Sequence, residues 1–349
     1  MLVFIMAVMP LSDSSSMHLM RAESPGPSVG KLVPKVKTTA MILYGIYVVF
    51  TVIEIIALLI AGMPLFDSMT LTFGTVGTGG FGLLNSSIAS YSTAVQIIIT
   101  VFMIICSINF TVYYMFLIKR PKEALMCEEM RYYLLIVFGS ALLIAFNIRA
   151  SFASFGKAFQ QAIFQVASVI STTGFATADF NLWPEFSRMI LVLLMFVGAC
   201  AGSTGGGFKV SRLIIMVKSV RNEIMSVTHP RSVQKVHMDG RRIPDNVVKT
   251  VLCYLAGYVV ILIVSVLLIS LDNFDMTTNF TAVMATFNNV GPGLNRVGPT
   301  GNFGGFSVLS KLVLMFDMLV GRLELYPMLV IFAPGLWRIH PHRHVGKVQ

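Results

Sequence analysis

The residues of this chain with the most chemistry to offer stand in three short glycine-bearing strips, Thr75-Val-Gly-Thr-Gly-Gly-Phe81, Ser171-Thr-Thr-Gly-Phe175 and Asn288-Asn-Val-Gly-Pro-Gly293. Each strip lies between two long apolar runs. In hydrocarbon, backbone that is neither helix nor closed sheet leaves its carbonyls unpaired, so it survives only when packed in protein or lining a polar cavity. Carbonyls freed in this way can replace the hydration shell of a cation. Glycine suits such a strip because carbonyls in a row require backbone angles that a side chain penalises. Any one strip alone reads equally well as a tight turn outside the membrane. Three of them at corresponding places in a repeat point instead to a re-entrant pore.

Two further features interrupt apolar segments. Ala201-Gly-Ser-Thr-Gly-Gly-Gly207 sits between apolar Met189 to Val197 and the basic-tipped run Val210 to Lys218. A helix cannot run through Gly202, Gly205, Gly206 and Gly207 without large propensity costs, so this span must break. Its outline, Gly202 to Lys209, resembles a phosphate loop only superficially, because Phe208 separates glycine from lysine and no strand precedes it. The alternative to a functional loop is a purely structural hinge. The last apolar run carries Asp317, Arg322 and Glu324. A charge there is costly and faces a wet or paired site, so Arg322 either meets water or forms a salt bridge with Asp317 or Glu324.

The rest of the composition says what must position these groups. Hydrophobic residues make up 55% of the 349, charged residues 12%, and mean hydropathy is +0.78. These values suit an integral membrane chain with the bilayer as its solvent. Spans are expected at 41–61, 93–118, 132–148, 186–217 (broken), 247–271 and 307–333. Short helices at 64–73, 157–170 and 276–287 precede the strips, and none is long enough to cross a bilayer. The repeated unit is span, short helix, strip, span. It divides the chain into residues 1–37, 38–120, 121–249 and 250–349, with the strips around a common axis. The negative C-terminal end of each short helix then faces the strip and favours a cation.

Charge placement is an independent indication of topology. Twenty of the 26 Lys and Arg residues fall in four segments, 21–37, 119–131, 209–249 and 338–347, whereas 62–96 has none. By the positive-inside rule those segments are cytoplasmic and the strips open to the outer face. The net charge of +10 then needs no nucleic acid to explain it. Cys106, Cys127, Cys200 and Cys253 show no paired spacing, so neither a disulfide framework nor a metal site is indicated. His229, His237, His340, His342 and His344 lie in basic segments rather than beside acids in a span, which argues against a membrane-embedded enzyme. Glu54, the one charge of the first span, reads as a helix–helix contact.

Thr172-Thr-Gly-Phe-Ala-Thr-Ala-Asp-Phe180, Cys200-Ala-Gly-Ser-Thr-Gly-Gly-Gly-Phe-Lys209, Asn288 to Gly293 and Gly321-Arg-Leu-Glu324 together resemble the Trk/Ktr/HKT family of potassium transporters. The resemblance covers essentially the whole chain. It implies an all-α integral membrane fold of four membrane-pore-membrane units around a central ion pathway, three of them complete here. It further implies no cofactor, potassium as the transported ion, a bacterial cytoplasmic membrane location, a homodimer, and a cytoplasmic nucleotide-binding regulator of the TrkA kind. Carried over residue by residue, the potassium-binding filter would be Thr78, Gly79 and Gly80; Thr172, Thr173 and Gly174; and Asn289, Val290 and Gly291. Ala201, Gly202, Ser203, Thr204, Gly205, Gly206 and Gly207 would form an intramembrane gating loop beneath it, and Arg322 a pore barrier.

The departure from the family pattern is at the start. Met1 to Pro10 is an apolar stub without a basic leader, and it resembles the last turns of a preceding span, with Met20 to Pro27 as linker. The expectation is therefore that the first pore unit lies outside this chain. A truncated, non-conducting membrane or assembly remnant is the alternative to a potassium-conducting subunit.

Overall fold

The computed structural model describes residues 36–229 and 234–323, together with Leu325 and Met328. The stub and linker expected before residue 36, the side chain of Glu324 and the histidine-rich tail from His340 lie outside the described residues. Helices form nearly everything else: α1 (Val36–Ile60), α2 (Leu65–Val76), α3 (Thr93–Cys106), α4 (Phe110–Leu117), α5 (Pro121–Leu125), α6 (Glu128–Ile148), α7 (Phe155–Ile170), α8 (Glu185–Val197), α9 (Val210–Thr228), α10 (Asp245–Ile269), α11 (Met276–Phe287) and α12 (Val308–Leu323). A two-stranded hairpin, β1 (His237–Met238) and β2 (Arg241–Arg242), precedes α10.

Among the described residues, the segments Thr38–Ile60, Glu128–Ser151 and Asp245–Asp272 are long and apolar enough to cross a bilayer. Their apolar side chains, such as Val49, Ile53, Ile60, Leu135, Leu143, Val260 and Leu267, are largely exposed. Such a surface is stable only against lipid. Two of the short helices are the reverse. In α7 every residue from Phe164 to Ile170 is buried, and in α11 every residue from Thr281 to Phe287. Each packs between two neighbours, α7 between α6 and α8, α11 between α10 and α12.

One expected span is corrected. Residues 93–118 do not form a continuous helix, because α3 and α4 meet at an 88° bend across Ser107, Ile108 and Asn109. No glycine or proline marks this break. Its backbone groups are satisfied from elsewhere: Cys200 N–H donates to the Ser107 carbonyl at 3.1 Å and Phe110 N–H to the Gly202 carbonyl at 3.0 Å. The Asn109 side chain accepts from Thr111 N–H at 2.9 Å and starts α4 afresh. A broken helix is tolerated at membrane depth where protein re-satisfies the freed groups, as the glycine loop does here. The expected break between α8 and α9 is present at residues 198–209.

Two buried acids complete the frame. Glu54 is fully buried on α1, and Asp317 is fully buried on α12, where it accepts from Ser265 Oγ of α10 at 2.7 Å.

Candidate functional site

Each short helix ends in the same way. The amides of Gly77, Ser171 and Asn288 still donate to Phe73, Ala167 and Met284, four residues back. The next residues, Thr78, Thr172 and Asn289, turn to positive φ of 48°, 58° and 56°. That left-handed step ends the helix and is unusual for threonine. The two amides after it then both return to one carbonyl: Gly79 and Gly80 to Gly74 (2.8 and 3.1 Å), Thr173 and Gly174 to Ser168 (3.0 and 3.2 Å), Val290 and Gly291 to Ala285 (2.8 and 3.4 Å). With their amides committed to the helix, these residues have carbonyls that accept no hydrogen bond among the described residues, the groups a dehydrated cation requires.

The three strips meet one another. A Cβ placed on Gly80 would overlap the carbonyl oxygen of Thr173, and one on Gly174 would overlap the carbonyl oxygen of Val290 and come within 3.1 Å of Pro292. The φ values there are +65° and +85°, so glycine is required on both conformational and steric grounds. On Gly291, at φ +104°, an added Cβ would meet nothing within 4 Å. The strips therefore meet in chain order, the first against the second and the second against the third. All nine sequence-predicted filter residues belong to these strips.

The glycine loop closes against the strips. Thr78 Oγ1 donates to the Thr204 carbonyl at 2.9 Å, and Gly206 N–H donates to Thr172 Oγ1 at 2.6 Å. An added Cβ on Gly206 would lie 2.8 Å from the Asn288 carbonyl oxygen. Arg322 Nη1 donates to the same Thr204 carbonyl at 3.1 Å, so the arginine reaches the loop from α12. Asn289 Nδ2 in turn donates to the Met318 carbonyl one turn earlier on that helix, at 3.1 Å. Behind the loop Phe208 stacks on Phe196 at 5.0 Å, and Tyr258 of α10 accepts from Asn288 Nδ2 at 2.8 Å. Every predicted loop residue lies in this connection, and Arg322 is joined to it rather than remote from it.

Sequence reasoning missed one contributor. Glu129, in the first turn of α6, is buried, and its Oε1 accepts from Ala201 N–H at 2.7 Å and Ser211 N–H at 3.1 Å, so it contacts both ends of the loop. An acidic pair at a helix start reads only as a dipole complement, and nothing local signals the long-range partners.

At the opposite side of the third strip, Asp275 caps α11, accepting from Thr278 N–H at 3.0 Å and Thr278 Oγ1 at 2.5 Å, with Asn295 Nδ2 at 2.8 Å. The bond from the Thr278 hydroxyl is the largest of the influences that hold this carboxyl below the usual range. A depressed carboxylate stabilises the folded state above its unfolded value, near 3.9, and that stabilisation is lost as pH falls through the lower folded value. Asp275→Ala is expected to cost about 1 kcal/mol at pH 7. Thermal unfolding in detergent should show a lowered Tm at pH 7 and a difference that shrinks as pH falls below the ordinary carboxylate value, near 3.9.

Comparison with known proteins bears on the whole chain. The family described as "TrkH: Cation transport protein" matches residues 1–339. The Trk system potassium uptake protein TrkH of Salmonella typhimurium is 35% identical over 345 residues, covering 97% of this chain and 70% of that one. The Trk system potassium uptake protein TrkG of Escherichia coli is 30% identical over 341 residues, with the same coverage. The crystal structure of the potassium transporter TrkH from Vibrio parahaemolyticus superposes with a TM-score of 0.83 at 31% identity, covering 97% of this chain and 70% of that one.

Proposed function

We propose, from the premise that this chain belongs to the TrkH family of cation transport proteins, that it takes part in potassium uptake as the ion-translocating membrane subunit of a Trk-type system in the bacterial cytoplasmic membrane. In this reading potassium is substrate and cargo, no cofactor takes part, and the protein is a transporter rather than an enzyme. The carbonyls of Thr78, Gly79, Gly80, Thr172, Thr173, Gly174, Asn289, Val290 and Gly291 replace part of the ion's hydration shell. The loop Ala201 to Gly207 obstructs the path beneath them, and Arg322 adds a positive charge to that obstruction. Units 38–120, 121–249 and 250–349 each contribute one sector.

The observation that carries the reading is the interlock of strip on strip, Gly80 against the Thr173 carbonyl and Gly174 against the Val290 carbonyl, with the loop hydrogen-bonded to Thr78 and Thr172 below. A cytoplasmic nucleotide-binding regulator of the TrkA kind and a paired, homodimeric assembly belong to the same proposal. They are supported by family membership and by relatives named as parts of a Trk system.

The alternative reading is a non-conducting assembly protein. Expression in a potassium-uptake-deficient bacterium separates the two. Growth at low external potassium, with rubidium uptake above the empty-vector level, is expected for the conducting subunit. No growth from a chain demonstrably present in the membrane would favour the second reading instead.

A further inference from the structure

The first turn of α6 stands between the glycine loop and the cytoplasmic-facing elements, and it is bonded to both. On the loop side, one oxygen of Glu129 receives the amides of Ala201 and Ser211, which bracket the break in the span. Ser211 lies in the first turn of α9, whose N-cap residue Lys209 supplies no side-chain cap. Glu129 therefore caps α9 from another helix and ties that cap to the far end of the loop. A carboxylate at a helix N-terminus complements the unsatisfied amides and the dipole. Lys209, itself buried, donates from Nζ to the Gly205 carbonyl. On the other side, the Glu128 carboxylate pairs with Lys218 Nζ of α9, which also donates to the His237 carbonyl at 2.7 Å. Glu128 N–H donates to Asp239 Oδ1 in the hairpin turn at 2.7 Å.

We propose that Glu129 is the positioning residue that holds the glycine loop in its closed place beneath the strips, and that the Glu128–Glu129 turn links the loop to the hairpin of β1 and β2. The proposal rests on the loop's being the obstruction described above. It adds what sets the loop's position. Because one oxygen holds both shoulders, removing it frees Ala201 and Ser211 together. Movement of the hairpin bears on the same turn through Lys218 and Asp239, which gives a cytoplasmic event a covalently continuous route, one residue long, to the loop.

The test uses the full chain in lipid nanodiscs and liposomes. Amide hydrogen exchange over residues 199–212 should accelerate about tenfold or more in Glu129→Ala, since two bonds to one buried acceptor are lost, while α7 and α11 keep their protection. Glu129→Gln retains an acceptor oxygen without the charge and should lie between. Lys218→Met should move the same segment in the same direction by a smaller factor. Rubidium flux should rise severalfold in Glu129→Ala, and adding it to a deletion of Gly205 to Gly207 should change flux no further, because both act through the loop. Unchanged exchange at 199–212, loss of protection spread equally over α7 and α11, or additive flux effects in the double variant would each overturn the proposal. If the glycine deletion alone leaves flux unchanged, the loop is not the obstruction and that reading fails. The exchange data still decide whether Glu129 holds it.

Discussion

Gly174→Ala is expected to abolish potassium uptake while the chain still inserts in the membrane. The added Cβ would occupy the place of the Val290 carbonyl oxygen and press on Pro292 Cδ at 3.1 Å, and alanine at φ +85° is strained before any contact is made. Both neighbours belong to the third strip, so relief comes only by pushing that strip's carbonyl off the axis. A carbonyl withdrawn from an ion is a lost ligand, and about 3 kcal/mol of lost coordination lowers flux on the order of a hundredfold. Gly80→Ala should behave similarly, through the Thr173 carbonyl. Gly291→Ala is the comparison: it is strained at φ +104° and, among the described residues, its Cβ would meet nothing within 4 Å, so on backbone strain alone the loss should be about tenfold. Rubidium uptake at matched membrane levels ranks the three. Equal losses at Gly174 and Gly291 would show that backbone strain alone, and not the interlock of strips, is what glycine relieves.

The strips were legible because local chemistry ends the helices: glycine, and residues able to take one left-handed step, stand where the apolar run stops. Their convergence was legible only through repetition, since no residue of one strip announces the carbonyl of the next. The loop between α8 and α9 was visible for the same reason as the strips, four glycines in an otherwise helical span. The bend at Ser107 to Asn109 was not, because Thr93 to Ile118 is as apolar and as free of glycine and proline as an intact span. What breaks it is tertiary: Cys200 and Gly202 supply the missing partners from about ninety residues away. Glu129 escaped notice on similar grounds. Its partners lie 72 and 82 positions along the chain, and its own neighbourhood looks like an ordinary acidic helix start. A hydrogen bond to a loop's backbone leaves little trace in the loop's sequence, since backbone amides look alike at every position. Arg322 was the opposite case, a cation in an apolar run whose cost alone singled it out. Its contact with the loop then followed from the fold rather than from its neighbours, for Asp317 on the same helix is held by Ser265.

Arg322→Ala is expected to raise basal rubidium flux and weaken discrimination between potassium and sodium. The guanidinium donates to the Thr204 carbonyl at 3.1 Å, the same carbonyl that receives the Thr78 hydroxyl, so it has two separable effects. As a bond it holds the middle of the loop against α12. As a charge it opposes any cation leaving the strips: at a separation on the order of 8 Å, a unit charge would cost about 2 kcal/mol at an effective dielectric near 20. That corresponds to about thirtyfold in flux, and a wetter path would screen it to less. Arg322→Lys separates the two effects, since lysine keeps the charge but lacks the planar fork that reaches the carbonyl from a fixed direction. If the charge dominates, the lysine variant conducts like the parent and only alanine opens the path. If the bond dominates, both variants conduct more and hydrogen exchange of the loop rises in both. An alanine variant with parental flux and parental selectivity would remove the arginine from the barrier altogether and leave Thr204 to be held by Thr78 and Cys106.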